Sequence, residues 1–519
     1  MTEVNSPFIV YSDDSWLVVD KPYGMSTHGG DLGELGAQEW LELHLNLKLY
    51  VCSRLDKGTT GLLLFARTKA ASALAEEIHV AEKSEKTYFF MSNQDVRSKN
   101  TGHWSCDTPL DDKEARTQFW FEREITSGLF LYKAVITRGR MHQIRRHASH
   151  SGCPLWGDTE YGGCSAPRIA LHCAKLSWPG IEQPCESALP PSFVYETHAH
   201  GGVTDVEIAV AFERRGRWLT AVTDAWRVVQ RGEVGEFDIS VDVYGAYALV
   251  WIYDDTSRER LENCLTPLFK GLSSAVRLHG VVYRRVSKNP HKKGLVCEEW
   301  ITGELPSSGL YVSEHGWKAG VALSGKQHVG HFLDHRDNRR RVELLAAGKR
   351  IANLFSYSCG YAVAAAAAGA EVVVNVDASA SALTLGKNNF TINGLTESGI
   401  GKFVERDVRQ WLRKQCEKVS RGEDSGWDII VCDPPTFSST KGGGVFQVRD
   451  SWDELVAACA AILKSDGTCF LSNNCQAEER KFFEKSMTSH FSMVQRLQAP
   501  LDFPKVASRG HSIFYMCKK

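Results

Sequence analysis

The stretch IANLFSYSCGYAVAAAAAGAEVVVNVD, residues 351–377, decides the reading of the C-terminal half. Residues 351–355 are a short apolar run and read as a strand. Ser356, Tyr357, Ser358, Cys359 and Gly360 make a turn of small residues. Residues 362–368 are nearly all alanine, the residue with the highest helix propensity, and 372–376 are a buried β-branched strand with Asp377 at its end. Strand, tight turn, helix, strand is what a nucleoside cofactor needs. The turn lets the backbone approach the ligand, and a carboxylate at the second strand's tip can accept both ribose hydroxyls. The same window also fits any strand–helix–strand unit of an open α/β sheet, because a glycine turn alone is a weak signal.

The flanking sequence extends the pattern. Residues 379–393 read as a helix capped by Ser379, and 403–407 as a strand ending at Asp407, a carboxylate that can accept from an adenine amine. Residues 427–431 are the next strand and run into Asp433-Pro434-Pro435-Thr436-Phe437. Two prolines at a strand tip make a rigid platform for a planar base. A mobile glycine loop (441–444), a helix (449–463) and a strand ending in Ser472-Asn473-Asn474-Cys475 follow, with last strands near 491–498 and 511–517. Strands alternating with helices predict a doubly wound sheet whose ligand crevice lies at the strands' carboxyl ends. Asp377, Asp407 and Asp433 all fall there. A dinucleotide dehydrogenase would want G-x-G-x-x-G, which this turn does not supply. Upstream, 309–312 and 316–321 read as a hairpin, followed by His331-Phe332-Leu333-Asp334-His335-Arg336 and a helix with a dense positive face.

The totals bound the class. The 519 residues are 43% hydrophobic and 24% charged, enough for three or four ordinary globular domains. Lys+Arg number 61 against 62 Asp+Glu, so any RNA contact must come from a local patch. The 15 scattered cysteines contain no C-x-x-C pair, which suits reduced thiols in a cytoplasmic compartment better than disulfides or zinc. No signal-length apolar run and no membrane-length window is expected.

In the N-terminal part, residues 8–20 read as a strand broken by Lys21-Pro22-Tyr23-Gly24. Residues 53–67, SRLDKGTTGLLLFAR, carry a charged loop into an apolar strand, with Arg54 beside Asp56. Such a pair is either a weak surface ion pair or a catalytic carboxylate held ionised by a cation. Residues 85–90 place Tyr88 in a strand. Residues 137–147, TRGRMHQIRRH, hold four arginines and two histidines, among them Arg140, His142 and Arg145, on a turn leading into a helix. That composition suits phosphate binding. His142, His147 and His150 lack a cysteine or carboxylate at matching spacing, so no metal site is expected. Residues 179–202 read as a linker, 217–229 as a helix with Leu219, Val222 and Trp226 on one face, and 235–305 as a small β-β-α-β-β unit.

Residues 8 to about 180 resemble the RNA pseudouridine synthases of the large-subunit ribosomal and transfer RNA type. The matching pieces are the K-P-x-G turn, R-L-D running into G-L-L-L, K-x-Y, G-R-x-H-Q-I-R, G-D-x-x-Y-G and a late L-H. The resemblance implies that Asp56 attacks the nucleoside, Arg145 pairs with it, and Tyr88 stacks on the target uracil, without a cofactor. Ser53 stands where that family has His. The chemistry fits: a desolvated carboxylate kept anionic by arginine, and a flipped base stacked on an aromatic ring.

Residues 205–519 resemble bacterial large-subunit ribosomal-RNA methyltransferases that carry a small α+β domain before a class I catalytic domain. The matching pieces are Thr223-Asp224-Ala225-Trp226-Arg227, F-L-D-x-R, N-L-F-x-Y, V-x-V-D and D-P-P-x-F. The late Ser472-Asn473-Asn474 resembles the guanine-N7 branch rather than the cytosine-C5 branch, which needs a cysteine nucleophile; Cys475 and Cys432 keep the C5 reading open.

The sequence is therefore read as multidomain: an α+β pseudouridine synthase fold (1–200), a linker with a small α+β domain (201–310) and a Rossmann-like class I methyltransferase (311–519). The expected activities are uridine-to-pseudouridine isomerisation and S-adenosylmethionine-dependent methylation of a base in ribosomal RNA. The alternative is a cytosine-C5 methyltransferase whose first half only binds RNA. By the resemblance, Asp377 binds the cofactor's ribose and Asp407 its adenine. Asn353, Phe355, Tyr357 and Gly360 line the methionine side, and Asp334 and Arg336 close the pocket. Asp433, Pro434, Pro435 and Phe437 hold the base, while Arg54, Arg140 and His142 contact RNA in the first half.

Overall fold

The computed structural model describes residues 8–29, 35–97, 102–193, 199–200, 203–204, 210–211, 213, 215–233, 237–272, 278–287, 296–325, 328–439, 445–473, 480–503 and 513–519. The glycine loop at 441–444, Asn474 and Cys475 lie outside them. The chain forms two compact units: 1–221 with 233–237 and 256–275, and 222–232 with 238–255 and 276–519.

The first unit is built on a ten-stranded sheet. Its main path runs Ile9–Ser12, Trp16–Lys21, Thr60–Ala66, Leu171–Ser177, Glu85–Ser92, Leu129–Ile136, Thr117–Thr126, His103–Cys106. Thr60–Ala66 is buried along its whole length, as its unbroken apolar run requires of a central strand. It pairs in parallel with Leu171–Ser177, Gly61 opposite Cys173. Gly61 has φ +105°, and a Cβ there would stand 2.2 Å from the Cys173 carbonyl oxygen, so only glycine lets the two backbones meet. In Glu85–Ser92 the period of two turns Tyr88 and Phe90 inward. Helix Lys69–Val80 starts at Thr68, whose hydroxyl accepts the Ala71 N–H at 3.1 Å. Phe8, Trp40 and Trp218 form an aromatic core cluster, Phe8 and Trp218 stacked with centroids 4.7 Å apart.

The second unit holds two principal sheets. The smaller has five strands in the order Ala225–Val229, Ile239–Tyr244, Tyr247–Ile252, Gly280–Val286, Val296–Gly303. This corrects the helix expected over 217–229. Only Gly216–Leu219 is helical, and Ala225–Val229 is a strand paired with Ile239–Tyr244. The run AWRVV is aromatic and β-branched, and over five residues a helical and a strand pattern are hard to tell apart, so pairing decides. The hairpin Leu310–Glu314 and Trp317–Val321 is as expected.

The larger sheet has seven strands in the order Gly401–Glu405, Val372–Asp377, Arg350–Leu354, Trp427–Cys432, Leu463–Asn473, Ile513–Lys518, Met493–Leu497. All neighbouring pairs are parallel except those made by Ile513–Lys518. The order reverses between Arg350–Leu354 and Trp427–Cys432, which opens a crevice at their carboxyl ends. Helix Gly360–Ala367, nearly all alanine, packs so closely that a Cβ on Gly386 of helix Ala380–Ile392 would lie 2.2 Å from Cys359 Sγ.

Candidate active sites

In the first unit, Asp56 sits in the loop that precedes Thr60–Ala66. The loop is pinned beneath: the Thr27 hydroxyl accepts the Leu55 N–H and donates to the Leu55 carbonyl, both at 2.9 Å. Ser53 is buried and its hydroxyl accepts the Leu64 N–H at 3.4 Å, so it serves the strand. The Asp56 carboxylate is a third exposed and has two basic neighbours: Arg145 Nη1 at 3.8 Å and His142 Nε2 at 3.8 Å. Arg145 is itself nearly buried, with Asp158 accepting from Nε and Nη2 at 2.6 and 2.8 Å and Glu160 from Nη2 at 2.7 Å. Burial pushes the Arg145 guanidinium down, and Asp158 and Glu160 more than reverse that, so it stays charged beside Asp56.

Tyr161 completes the support. Its hydroxyl lies 3.0 Å from His142 Nδ1, and the Arg145 guanidinium stands 4.8 Å from its ring centroid. Asp158, Glu160 and Tyr161 were not assigned roles from sequence, although the G-D-x-x-Y-G segment contains them. Tyr88 is buried on Glu85–Ser92, separated from Thr60–Ala66 by Leu171–Ser177, and burial first, then Cys173 and Asp56, raises its phenol well above the ordinary range. Arg54 is exposed, and Arg140 donates to the Glu114 carbonyl from Nε at 3.1 Å. Beneath the site, the fully buried Lys21 donates to the carbonyls of Pro22 and Met25 at 3.0 and 2.7 Å, and burial brings its amine down to about 7.

In the second unit, the turn after Arg350–Leu354 is strained. Phe355, Tyr357 and Cys359 have φ of 54°, 44° and 61°, three non-glycine residues in the left-handed region within five positions. Such conformations concentrate at ligand sites. Asp377 holds the turn: its Oδ2 accepts the Tyr357 N–H at 2.9 Å and its Oδ1 the Ser379 N–H at 2.8 Å. Gly360 begins the following helix. Phe355 packs on Phe446 with centroids 5.5 Å apart, and Tyr357 lies 5.5 Å from Phe332. Asp407 caps helix Val408–Ser420, accepting from the N–H groups of Arg409 and Gln410 at 2.9 and 3.3 Å. Burial raises its carboxyl, and the Arg409 bonds outweigh this and lower it.

Two expected cofactor residues are placed elsewhere. Asn353 is buried within the sheet, its Nδ2 donating to Asn375 Oδ1 at 2.9 Å on the adjacent strand. Arg336 is fully buried and donates to both Asp502 oxygens at 2.7 and 2.9 Å and to the Ala225 carbonyl at 2.9 Å. Asn353 Nδ2 and the two terminal nitrogens of Arg336 are thus paired inside the fold, while Arg336 Nε has no hydrogen-bond partner among the described residues. Asp334 is half-buried in the short turn Leu333–His335, and its charge helps raise the phenols of Tyr244 and Tyr361.

At the platform, Asp433 closes Trp427–Cys432, Pro434 is buried beneath it and Phe437 is 61% exposed. Cys432 is fully buried, and its neighbour Cys459 together with burial raises its thiol, the opposite of what a nucleophile needs. Among the described residues no cluster of His, Cys, Asp or Glu could hold a metal ion, and no helix is long and apolar enough to cross a membrane.

A doubly wound sheet with a strained turn at its switch point and carboxylates at the strand tips defines a nucleoside-cofactor transferase. A family model described as S-adenosylmethionine-dependent methyltransferase matches residues 239–513, more than half of the chain, and one described as RNA pseudouridylate synthase matches residues 15–150. The chain belongs to the S-adenosylmethionine-dependent methyltransferase family, preceded by a synthase-like domain, and S-adenosylmethionine is its cofactor. The left-handed turn and Asp377 fit that group.

The chain is 33% identical over 257 residues to the ribosomal RNA large subunit methyltransferase K of Neisseria meningitidis, covering 49% of this chain and 70% of that one. It is 29% identical over 374 residues to the methyltransferase K/L of Vibrio campbellii, covering 67% of this chain and 51% of that one. It thus spans about half the length of this K/L relative. A solved methyltransferase complexed with SAH shares the fold at TM-score 0.50 and 20% identity, covering 72% of this chain and 98% of that chain.

Proposed function

We propose that the protein is a bifunctional RNA-modifying enzyme of the cytoplasm, with the three-part division 1–200, 201–310 and 311–519. The second unit transfers the methyl group of S-adenosylmethionine to guanine N7 in large-subunit ribosomal RNA. The N7 lone pair attacks the methyl carbon, the carbon–sulfur bond breaks, and S-adenosylhomocysteine leaves; no proton need be removed, so the protein's task is positioning. Asp377 binds the ribose, Asp407 the adenine, and the turn from Phe355 to Gly360 the methionine side. Asp433, Pro434, Pro435 and Phe437 hold the base.

The observation that carries this reading is the pairing of an exposed Phe437 beside the Asp433-Pro434-Pro435 tip with a fully buried Cys432. A flat base has a surface to lie on, and the cysteine beside it is withdrawn from nucleophilic chemistry. The two relatives above, both large-subunit ribosomal RNA methyltransferases by name, support the substrate class.

In the first unit, Asp56 is the carboxylate that attacks the nucleoside in converting uridine to pseudouridine. Arg145 and His142 face its oxygens, both at 3.8 Å, Tyr88 stacks on the uracil, and Arg54 and Arg140 hold phosphates. The supporting feature is Arg145: two carboxylates fix it, and one nitrogen remains directed at Asp56. The test is mass spectrometry of ribonucleosides from cells with and without this gene. Loss of 7-methylguanosine and pseudouridine from large-subunit ribosomal RNA is expected. Loss of 5-methylcytidine instead would sink the base assignment.

A further inference from the structure

A chain of polar side chains behind the platform ends on Asp433. The Tyr361 hydroxyl lies 2.9 Å from His335 Nδ1, His335 Nε2 lies 3.7 Å from Asp433 Oδ2, and the Ser472 hydroxyl donates to Asp433 Oδ1. His335 is 4% exposed, and its ring meets those of Tyr361 and Phe514 edge-on at 5.7 and 4.8 Å, so it cannot turn away.

The proton on the imidazole follows from its neighbours. Burial, then the charge of Asp433, raises the Tyr361 phenol well above its ordinary range, so Tyr361 keeps its hydroxyl proton. A neutral imidazole has one N–H and one lone pair, and the partner of one nitrogen sets which is which. A lone pair at Nε2 would face a carboxylate. In the neutral ring Tyr361 then donates to Nδ1 and Nε2 carries the N–H facing Asp433; in the imidazolium both nitrogens carry an N–H, so Nε2 presents a donor to Asp433 in either form. At 3.7 Å the contact is electrostatic and not a hydrogen bond, so Oδ2 keeps its lone pairs for another donor.

We propose that Tyr361, His335 and Ser472 are positioning residues that present Asp433 as a two-oxygen acceptor for the N1–H and N2–H donors of guanine. This rests on the guanine reading above. A carboxylate that already accepts one donor keeps lone pairs for more, and two parallel bonds to an ionised acceptor are strong and directional. Among the four bases only guanine offers two adjacent donors on one edge. Adenine and cytosine each place a ring-nitrogen acceptor beside the amine, and uracil places carbonyls on both sides of its single N–H. The pairing thus selects the base while the prolines support its plane.

The test uses the full chain and an unmodified large-subunit ribosomal RNA transcript. Four proteins are compared: wild type, His335→Phe, His335→Gln and Ser472→Ala. Binding of S-adenosylmethionine, methyl transfer and the identity of the methylated nucleoside are measured for each. His335→Phe removes the donor and keeps a ring in the same space; His335→Gln restores an N–H. Losing the N–H that faces the carboxylate at 3.7 Å should lower kcat/KM for RNA by about tenfold in His335→Phe. The glutamine variant should recover to within about threefold of wild type, Ser472→Ala should lose about tenfold, and cofactor affinity should hold in all four. The proposal is overturned if His335→Phe matches wild type, or if the phenylalanine and glutamine variants are equally impaired, which would mark His335 as packing alone. A wild-type product other than 7-methylguanosine would overturn the guanine assignment, whatever the variants do.

Discussion

Arg336 was expected at the cofactor and lies instead in a core ion pair, and this difference can be measured. Asp502→Ala removes both carboxylate acceptors of a fully buried guanidinium and leaves it only the Ala225 carbonyl. It also removes the acceptor of the Arg227 N–H, bonded to Asp502 Oδ2 at 2.9 Å. Leaving one partner of a buried pair uncompensated costs about 3–5 kcal/mol. Replacing both partners by apolar residues, Arg336→Met with Asp502→Leu, removes the stranded charge and leaves only the Arg227 N–H unpaired, at about 1–3 kcal/mol. The double variant should therefore be more stable than the single one. Urea denaturation followed by tryptophan fluorescence reports it, and the transition belonging to the second unit is the one that S-adenosylmethionine raises, by about 2.7 kcal/mol at a hundredfold excess over Kd. The same titration gives the cofactor affinity of the folded double variant, which should stay within about threefold of wild type, below the ~1.4 kcal/mol that a tenfold change represents. A single variant as stable as wild type would refute the core assignment. So would a double variant that binds the cofactor tenfold more weakly, which would return Arg336 to the cofactor.

Three further outcomes are expected. Burial brings the His331 imidazole from 6.5 down to about 4, and its neighbour Glu314 lies well below the usual carboxylate range after Arg339 offsets its burial. A depressed imidazole means that the unfolded chain binds the extra proton first, so stability falls as pH drops from 6.5 toward 4, by about 3 kcal/mol for His331 alone. His331→Gln should flatten the melting temperature against pH over that range, and an unchanged slope would contradict the assignment. Gly61→Ala forces a Cβ to 2.2 Å from the Cys173 oxygen at φ +105° and should unfold the first unit while cofactor binding by the second persists; a native-like melting curve would count against the parallel register. Asp377→Ala should raise the Kd for S-adenosylmethionine at least about tenfold, the loss of a charge-assisted bond; calorimetry showing an unchanged Kd would remove Asp377 from the ribose.

The doubly wound half was legible because its strands are β-branched runs that end on carboxylates or small-residue turns, and local pattern and tertiary role agree there. The segment 225–229 was not, since five residues carry too little period to separate helix from strand. Asp377 and Asp433 could be placed at strand tips because the chain puts them there by simple counting. Arg336 could not be assigned to the core, because its partner Asp502 is 166 residues away and no local spacing announces the pair. The bond from Asn353 to Asn375 was not legible for the same reason: its partner sits one strand over. His335 occupies a position the F-L-D-x-R pattern leaves open, so only the distances to Tyr361 and Asp433 give it a role.

If two separate carboxylate-based sites on one chain modify RNA, each can be silenced without the other. Purified wild type, Asp56→Asn and Asp377→Ala are incubated with the same unmodified large-subunit transcript and S-adenosylmethionine, and the ribonucleosides are analysed by mass spectrometry. Pseudouridine and 7-methylguanosine are expected with wild type, only 7-methylguanosine with Asp56→Asn, and only pseudouridine with Asp377→Ala. Pseudouridine formed by Asp56→Asn, or its absence from the wild-type reaction, would contradict the two-site reading.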